Sequence, residues 1–236
     1  MTEFRKSPDP ETIPAEYWDT KHPKAPIIYE GRSIPGTRIQ YPVDVRRFIW
    51  APDVILDAFS RSGDPWMEAA REASGPDIVA WMIQKWVVQN IVYVGDEDLS
   101  PDRGEFWLFP AETLKRRRGD CEDGAILTVS LCLALGIPAD RIRVAAGWVD
   151  PGRGAAAGGH AWATYRRESD DAWVALDWCY YPDADVQVPN KIPLKGRDEY
   201  FAGDRVWFSF NHLHAWTHES AVSLKGRIRK AERVEG

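Results

Sequence analysis

Three residue types that act together in nucleophilic catalysis occur in the order cysteine, histidine, aspartate. Cys121 lies in the segment RRRGDCEDGA, His160 follows the glycine-rich loop DPGRGAAAGG, and Asp177 lies in AWVALDW. A cysteine attacks as its thiolate, and a free thiol with a pKa of about 8.5 is only slightly ionised at neutral pH. A histidine can take up the thiol proton, and an aspartate can hold the imidazole in one tautomer. The pattern therefore predicts a Cys121–His160–Asp177 catalytic triad.

Cys121 begins an apolar segment that predicts a buried helix over residues 121–135, ended by a Gly-Ile-Pro stop signal. The first turn of a helix offers unpaired backbone N–H groups and the positive end of the dipole, which stabilise an anion. Asp120 and Asp123 have the spacing of a capping pair. The carboxylates of Glu122 and Asp123 act in the opposite direction, because they disfavour a second anion. We therefore expect an imidazolium or a bound cation beside the thiolate.

After this helix the pattern changes to short strands. Residues 141–149, 160–167 and 172–178 are rich in β-forming side chains and are separated by turns rich in glycine or charge. His160 and Asp177 thus fall on two consecutive strands, which can pair side by side in antiparallel fashion. A buried helix followed by successive strands favours an α+β fold, with the nucleophile helix packed on an antiparallel β-sheet.

Composition excludes several classes of protein. The 236-residue chain has a net charge of −6, which argues against a nucleic-acid partner held through its phosphates. It has no run of about 18 apolar residues, so no membrane helix is predicted. Three cysteines at irregular spacing give no disulfide framework, and the polar start lacks an apolar signal segment. We therefore expect a cytoplasmic protein with no membrane and no nucleic-acid partner.

The chain divides into three parts by composition. Residues 1–70 carry many prolines and predict an extended arm that packs on the rest of the molecule. Residues 71–185 contain the predicted triad and a core helix over 76–93, and form the predicted catalytic core. Residues 186–236 contain the strand-like run RVWFSF before a charged tail, and predict an extension that completes the domain.

Five segments together resemble a known family. GDCED at the helix start, LGIPADRIRV, GGHAW, LDW and the lead-in FWLFPAETL are similar to motifs of the transglutaminase-like superfamily, especially its bacterial transglutaminase-like cysteine proteinases. The overall pattern also resembles phage-borne relatives. The resemblance spans residues 76–182. It implies a papain-like core with Cys121 as nucleophile, His160 as general base and acid, and Asp177 as the residue that orients the imidazole.

The resemblance also implies auxiliary groups. Some relatives hold calcium through acidic residues beside the cysteine, and Asp120, Glu122 and Asp123 match that surrounding. No cofactor is otherwise required. A thioester-forming enzyme also needs donors to the carbonyl oxygen, and the candidates are the backbone N–H of Cys121 and the side chain of Gln89.

Twelve tryptophans can supply core volume or line a substrate groove. Those nearest the motifs, Trp107, Trp162 and Trp178, are the groove candidates. The favoured function is a cysteine peptidase or amidase acting on a protein or peptide amide or glutamine side chain. A transglutaminase, with an amine as acceptor, and a catalytically silent binding module, for example of a phage particle, remain alternatives. The oligomeric state is left open.

Overall fold

The computed structural model describes most of the chain from residue 64 to residue 217. The described residues are 64–99, 107–152, 154, 156–201, 205–213 and 215–217, with the backbone of 25–29 and 32–36 and the single residues Ile49 and Ile55.

Within these residues the helices lie in the first half of the described chain, and five strands follow the last helix. The helices are α1 (Pro65–Glu72), α2 (Pro76–Asn90), α3 (Asp96–Leu99), α4 (Pro110–Arg116) and α5 (Cys121–Ala134). The strands are β1 (Ala25–Tyr29), β2 (Arg32–Gly36), β3 (Val92–Tyr93), β4 (Arg118–Gly119), β5 (Ile142–Val149), β6 (Gly158–Arg166), β7 (Trp173–Leu176), β8 (Arg205–Phe210) and β9 (Ala215–Thr217). Short 3₁₀ turns occupy Ala139–Arg141 and Val188–Asn190.

The central sheet has five strands in the order β7-β6-β5-β8-β9, and every neighbouring pair is antiparallel. Helix α5 packs against β5 and β6. The predicted α+β class, with the cysteine-bearing helix on an antiparallel sheet, is confirmed. The pairing of β6 with β7 brings the strand that carries His160 beside the one that leads into Asp177.

Helix α5 is buried along its length because nearly every side chain after its first turn is apolar. Ile126, Leu127, Val129 and Leu131 are all fully buried in one core cluster that also takes in residues of α2, β5 and β6. Burying one such side chain stabilises the fold by about 1.5–3 kcal/mol. The helix ends where Gly136 adopts a φ of 91°, a conformation that favours glycine, as the stop signal predicts.

Segments outside the predicted core also contribute to it. Ile49 and Ile55 are buried in the main cluster. Strand β8 pairs with β5 in the interior of the sheet, so residues beyond 186 supply a central element. Most of the arm over residues 1–70 lies outside the described residues, and the predicted three-part division stays a prediction.

None of the described helices combines the length and the apolar composition that crossing a membrane requires.

Candidate active site

The start of α5 is fixed by side-chain and backbone hydrogen bonds. The backbone N–H of Asp120 donates to Asp123 Oδ2 at 3.3 Å, and the backbone N–H of Leu108 donates to Asp123 Oδ1 at 2.7 Å. Gly119 allows this arrangement, because an added Cβ would lie 2.6 Å from the Asp123 Cβ. The helix therefore begins at Cys121, with the nucleophile candidate at its first position.

Cys121 is half-buried between its own helix and β6. Its Sγ donates to Glu122 Oε2 at 3.3 Å, and the backbone N–H of Ala161 also interacts with it. The Trp178 indole donates to the Cys121 carbonyl at 3.0 Å. Gly124 lets this indole lie on the helix, because a Cβ there would clash with the ring. The thiol thus lies against the residue that follows His160, and its side-chain partner in this structure is a carboxyl group.

Burial raises the pKa of the Cys121 thiol, and the nearby charges of Asp120 and Cys179 raise it further. The hydrogen bonds that the sulfur makes with Ala161 and Glu122 lower the pKa by less. The thiol is therefore protonated at neutral pH in this arrangement. The sequence predicts that the helix start favours the thiolate and that the neighbouring carboxylates oppose it. Here desolvation and the acidic neighbours outweigh the effect of the helix start.

His160 and Asp177 form a buried pair. Nε2 of His160 lies 3.2 Å from Asp177 Oδ1, and the exposed fractions of the two side chains are 4% and 0%. Backbone N–H groups of Trp178, Tyr180 and Tyr181 donate to the Asp177 carboxylate at 2.8, 3.2 and 2.7 Å. With Nε2 directed at Asp177, the lone pair of Nδ1 is left to accept a proton from elsewhere.

Asp177 stays charged despite its depth. Burial alone would raise the pKa of Asp177, but the hydrogen bond and charge of His160 lower it. The backbone N–H groups of Tyr181 and Cys179 act in the same direction, and the net result is a lowered pKa. A permanent carboxylate next to Nε2 stabilises the imidazolium form of the ring.

Aromatic rings enclose the His160 imidazole. Trp162 stacks on it with a centroid distance of 5.7 Å, Tyr180 lies at 5.0 Å and Tyr200 meets it edge-on at 6.4 Å. This enclosure excludes water from the His160–Asp177 pair and so strengthens it.

Cys179 joins this pair. Its Sγ, a ring nitrogen of His160 and a carboxylate oxygen of Asp177 all lie within 4.8 Å of one another. A metal ion there would have to displace the His160–Asp177 hydrogen bond and compete with the backbone donors to Asp177. The histidine–carboxylate pair is therefore the better account of this cluster.

A second cluster lies at the start of α5. One ligand atom each from Asp120, Cys121 and Glu122 lies within 4.8 Å of the others. Burial raises the pKa of Glu122, and Cys121 and Asp120 raise it further, while its Oε1 is buried with no hydrogen-bond partner among the described residues. A hard cation would satisfy such oxygens. The predicted calcium residues are thus adjacent, but both oxygens of Asp123 are engaged by backbone N–H groups.

The other candidates have different surroundings. Gln89 is exposed on α2, and no hydrogen bond among the described residues joins it to Cys121. Trp107 and Trp162 are 5% and 0% exposed, so in this structure they are core side chains that offer no groove surface. Trp107 stacks on Phe208 and Phe210.

Sequence reasoning missed Gln84. This glutamine is buried, and its Nε2 donates to the Asp177 backbone oxygen at 2.6 Å. The available signal was an amide within the apolar face of α2. Gln84 therefore links α2 to the turn that holds the carboxylate.

Residues 70–178 match the family model of the transglutaminase-like superfamily, Transglut_core, over just under half of the chain. The resemblance to the transglutaminase-like superfamily found in the sequence is therefore confirmed for this segment. A phage origin stays a prediction. No curated protein matches the chain.

Solved structures give similarities over a longer stretch. EGTA-treated LapG of Legionella pneumophila is 17% identical and matches 70% of this chain and 95% of its own, with a TM-score of 0.42. Calcium-bound LapG of the same organism is 18% identical and matches 69% of this chain and 97% of its own, with a TM-score of 0.41. A cysteine protease candidate from Cytophaga hutchinsonii is 20% identical and matches 75% of this chain and 57% of its own, with a TM-score of 0.37.

Proposed function

We propose that the chain is a thiol-dependent acyl-transfer enzyme, a cysteine peptidase or amidase acting through Cys121, His160 and Asp177. The observation that carries the proposal is the buried His160–Asp177 contact of 3.2 Å at the start of the strand whose Ala161 N–H touches the thiol. A structural histidine does not need a buried carboxylate held by three backbone N–H groups, and burying such a charge is costly without a partner. A cytoplasmic location stays a prediction.

In the proposed reaction His160 takes the Cys121 proton at Nδ1, since Nε2 faces Asp177. The thiolate then attacks the carbonyl carbon of a protein or peptide amide, or of a glutamine side chain. As the tetrahedral intermediate collapses, the C–N bond breaks and the leaving amine takes the proton from Nδ1. Water, with His160 as base, then attacks the thioester and releases the acid and the free thiol.

Attack requires that the thiol exchange its Glu122 contact for an imidazole. The acidic neighbours raise the free energy of a thiolate at this position. Calcium held by Asp120 and Glu122 would supply positive charge next to the sulfur, and the unpaired Glu122 Oε1 fits such an ion. Calcium is therefore proposed as an activator, and no step of the reaction depends on it.

The test is alkylation with iodoacetamide across pH, followed by peptide mapping. Cys132 serves as the internal standard, because it is fully buried in α5 and burial raises the pKa of its thiol. We expect Cys121 to be labelled fastest, and His160→Ala to slow its labelling alone. The proposal is contradicted if Cys121 does not react with iodoacetamide either with or without calcium. It is also contradicted if Cys121 is labelled at equal rates in wild type and His160→Ala.

Whether water or an amine accepts the acyl group from the thioester is tested separately, with casein as substrate and a fluorescent primary amine. Release of peptides or ammonia without amine incorporation supports hydrolysis. Incorporation that requires Cys121 supports a transglutaminase. If Cys121→Ala leaves every reaction of the purified protein unchanged, the binding-module alternative is favoured.

A further inference from the structure

An exposed tyrosine lies beside the start of α5. Tyr93 is 55% exposed, and it belongs to the short strand β3. This strand runs parallel to β4, with Tyr93 opposite Gly119, two residues before the nucleophile candidate. The N–H of Val94 donates to the Gly119 carbonyl at 2.9 Å, so the pairing continues on the side toward Cys121. The tyrosine is thus held at the end of the helix where the thiol lies.

The ring of Tyr93 reaches the nucleophile through one intervening side chain. Its centroid lies 6.0 Å from that of Trp178, with an interplanar angle of 33°. The same indole donates to the Cys121 carbonyl at 3.0 Å, and Gly124 leaves it room on the helix. Trp178 therefore contacts both the Tyr93 ring and the first residue of α5.

The hydroxyl of Tyr93 is available to a ligand. Within the part of the chain that the structure describes, it makes no hydrogen bond, although much of the side chain is exposed. Desolvation raises the pKa of Tyr93, and its neighbours Cys121, Asp120, Cys179 and Glu122 raise it further. The hydroxyl therefore keeps its proton throughout the working range of an enzyme and lies in the electrostatic field of the thiol.

Among the described residues, the other polar side chains near the thiol are engaged or distant. The Trp178 N–H is engaged by the Cys121 carbonyl. Glu122 carries an oxygen directed at the sulfur, and a carboxylate would repel a developing oxyanion. Gln89 lies four residues before Tyr93 in the sequence, is exposed and has no hydrogen bond to Cys121 among the described residues. Within the described part of the chain, Tyr93 is the neutral hydroxyl donor that lies at this point.

We propose, resting on the acyl-transfer function above, that the Tyr93 hydroxyl is a catalytic residue that donates a hydrogen bond to the oxygen of the substrate carbonyl. When the Cys121 thiolate forms its C–S bond, the carbonyl π electrons move to oxygen, and the Tyr93 O–H and the Cys121 backbone N–H stabilise that charge. The tyrosine keeps its proton. When the C=O bond re-forms, the C–N bond breaks and the amine takes its proton from His160.

The test compares two reactions of the same thiol in the full-length chain. Methyl methanethiosulfonate reacts with a thiolate at sulfur and creates no oxyanion. A small peptide aldehyde, N-acetylglycinal, forms a hemithioacetal whose oxygen occupies the oxyanion position, and its affinity follows from protection of Cys121 against the first reagent. We expect Tyr93→Phe to weaken aldehyde binding about 100-fold and to leave the thiosulfonate rate within about twofold of wild type.

Tyr165→Phe is the matched control. It also removes one tyrosine hydroxyl, but that hydroxyl donates to Asp77 Oδ1 at 2.8 Å, at the opposite end of α2 from β3. The aldehyde affinity of this variant is expected to equal that of the wild type. If Tyr93→Phe binds the aldehyde as tightly as wild type, or loses both reactions equally, the assignment of Tyr93 is wrong and the proposed function stands. If the wild-type thiol binds no aldehyde and is not labelled faster than Cys132, the acyl-transfer function and this inference fall together.

Discussion

Replacing Asp177 with asparagine removes the negative charge that lies 3.2 Å from His160 Nε2. If the carboxylate stabilises the imidazolium that accompanies a thiolate at Cys121, the substitution must lower the population of the ion pair. The side chain keeps nearly the same volume, so the effect on packing is small compared with the effect on charge.

The magnitude follows from the distance. Unit charges 3.2 Å apart attract by about 1.3 kcal/mol in bulk water and by about 5 kcal/mol at an effective dielectric constant of about 20. Because Asp177 is fully buried and the His160 side chain is 4% exposed, the true value lies toward the upper figure. At about 1.4 kcal/mol for each factor of ten, the population of the reactive ion pair is expected to fall about tenfold at the lower figure and roughly 4,000-fold at the upper one.

The assay is the rate of iodoacetamide alkylation of Cys121 at pH 7 in wild type, Asp177→Asn, His160→Ala and the double variant. If Asp177 acts through His160, the substitution slows labelling in the wild-type background and has no further effect once His160 is alanine. Asp198→Asn is the control for a buried carboxylate elsewhere, since Asp198 is 1% exposed and contacts Ser209. It is expected to leave the rate unchanged.

Two results would refute the reasoning. An Asp177→Asn protein that is folded and alkylates at the wild-type rate would show that the carboxylate does not support the ion pair. An equal loss in the His160→Ala background would show that the asparagine acts by disturbing the turn that holds Trp178, Tyr180 and Tyr181.

Three further predictions concern stability. Gly124→Ala forces a Cβ into the Trp178 indole, so we expect the free energy of unfolding, measured in urea, to fall by about 1–3 kcal/mol. An unchanged urea midpoint would mean that the indole does not lie on the helix. Calcium at about 100 times its Kd is expected to stabilise the wild type by about 2.7 kcal/mol and Glu122→Gln by much less; unchanged melting would leave the carboxylates as capping groups only. The pKa of Asp177 is lower in the folded state than in the unfolded state. Its contribution to the free energy of unfolding is therefore complete above the unfolded pKa of about 3.9 and is lost as the pH falls through the folded value. Unfolding measured between pH 6 and pH 2.5 should therefore depend less on pH in Asp177→Asn than in wild type.

Local sequence signals determined where the chemistry-bearing residues lie. Glycine, aspartate and an apolar run define the start of α5 at Cys121, because capping and burial act over a few neighbouring residues. Two β-forming runs joined by a short charged turn predict that His160 and Asp177 meet, because consecutive strands of this kind pair as neighbours. The α+β class and the superfamily followed from the same segments.

Contacts between distant segments were decided only by the tertiary structure. Gln84 and Gln89 lie on the same helix, and which one is buried depends on what packs against that helix, so the choice of Gln89 had no local basis. The thiol meets Glu122 and is deprived of water because the sheet closes over the helix start, which raises the pKa that the helix dipole alone would lower. Tyr93 reaches the site only through the parallel pairing of β3 with β4 and the indole of Trp178. A sequence specifies which groups are present and their local order, whereas burial and long-range pairing set their charge states and partners.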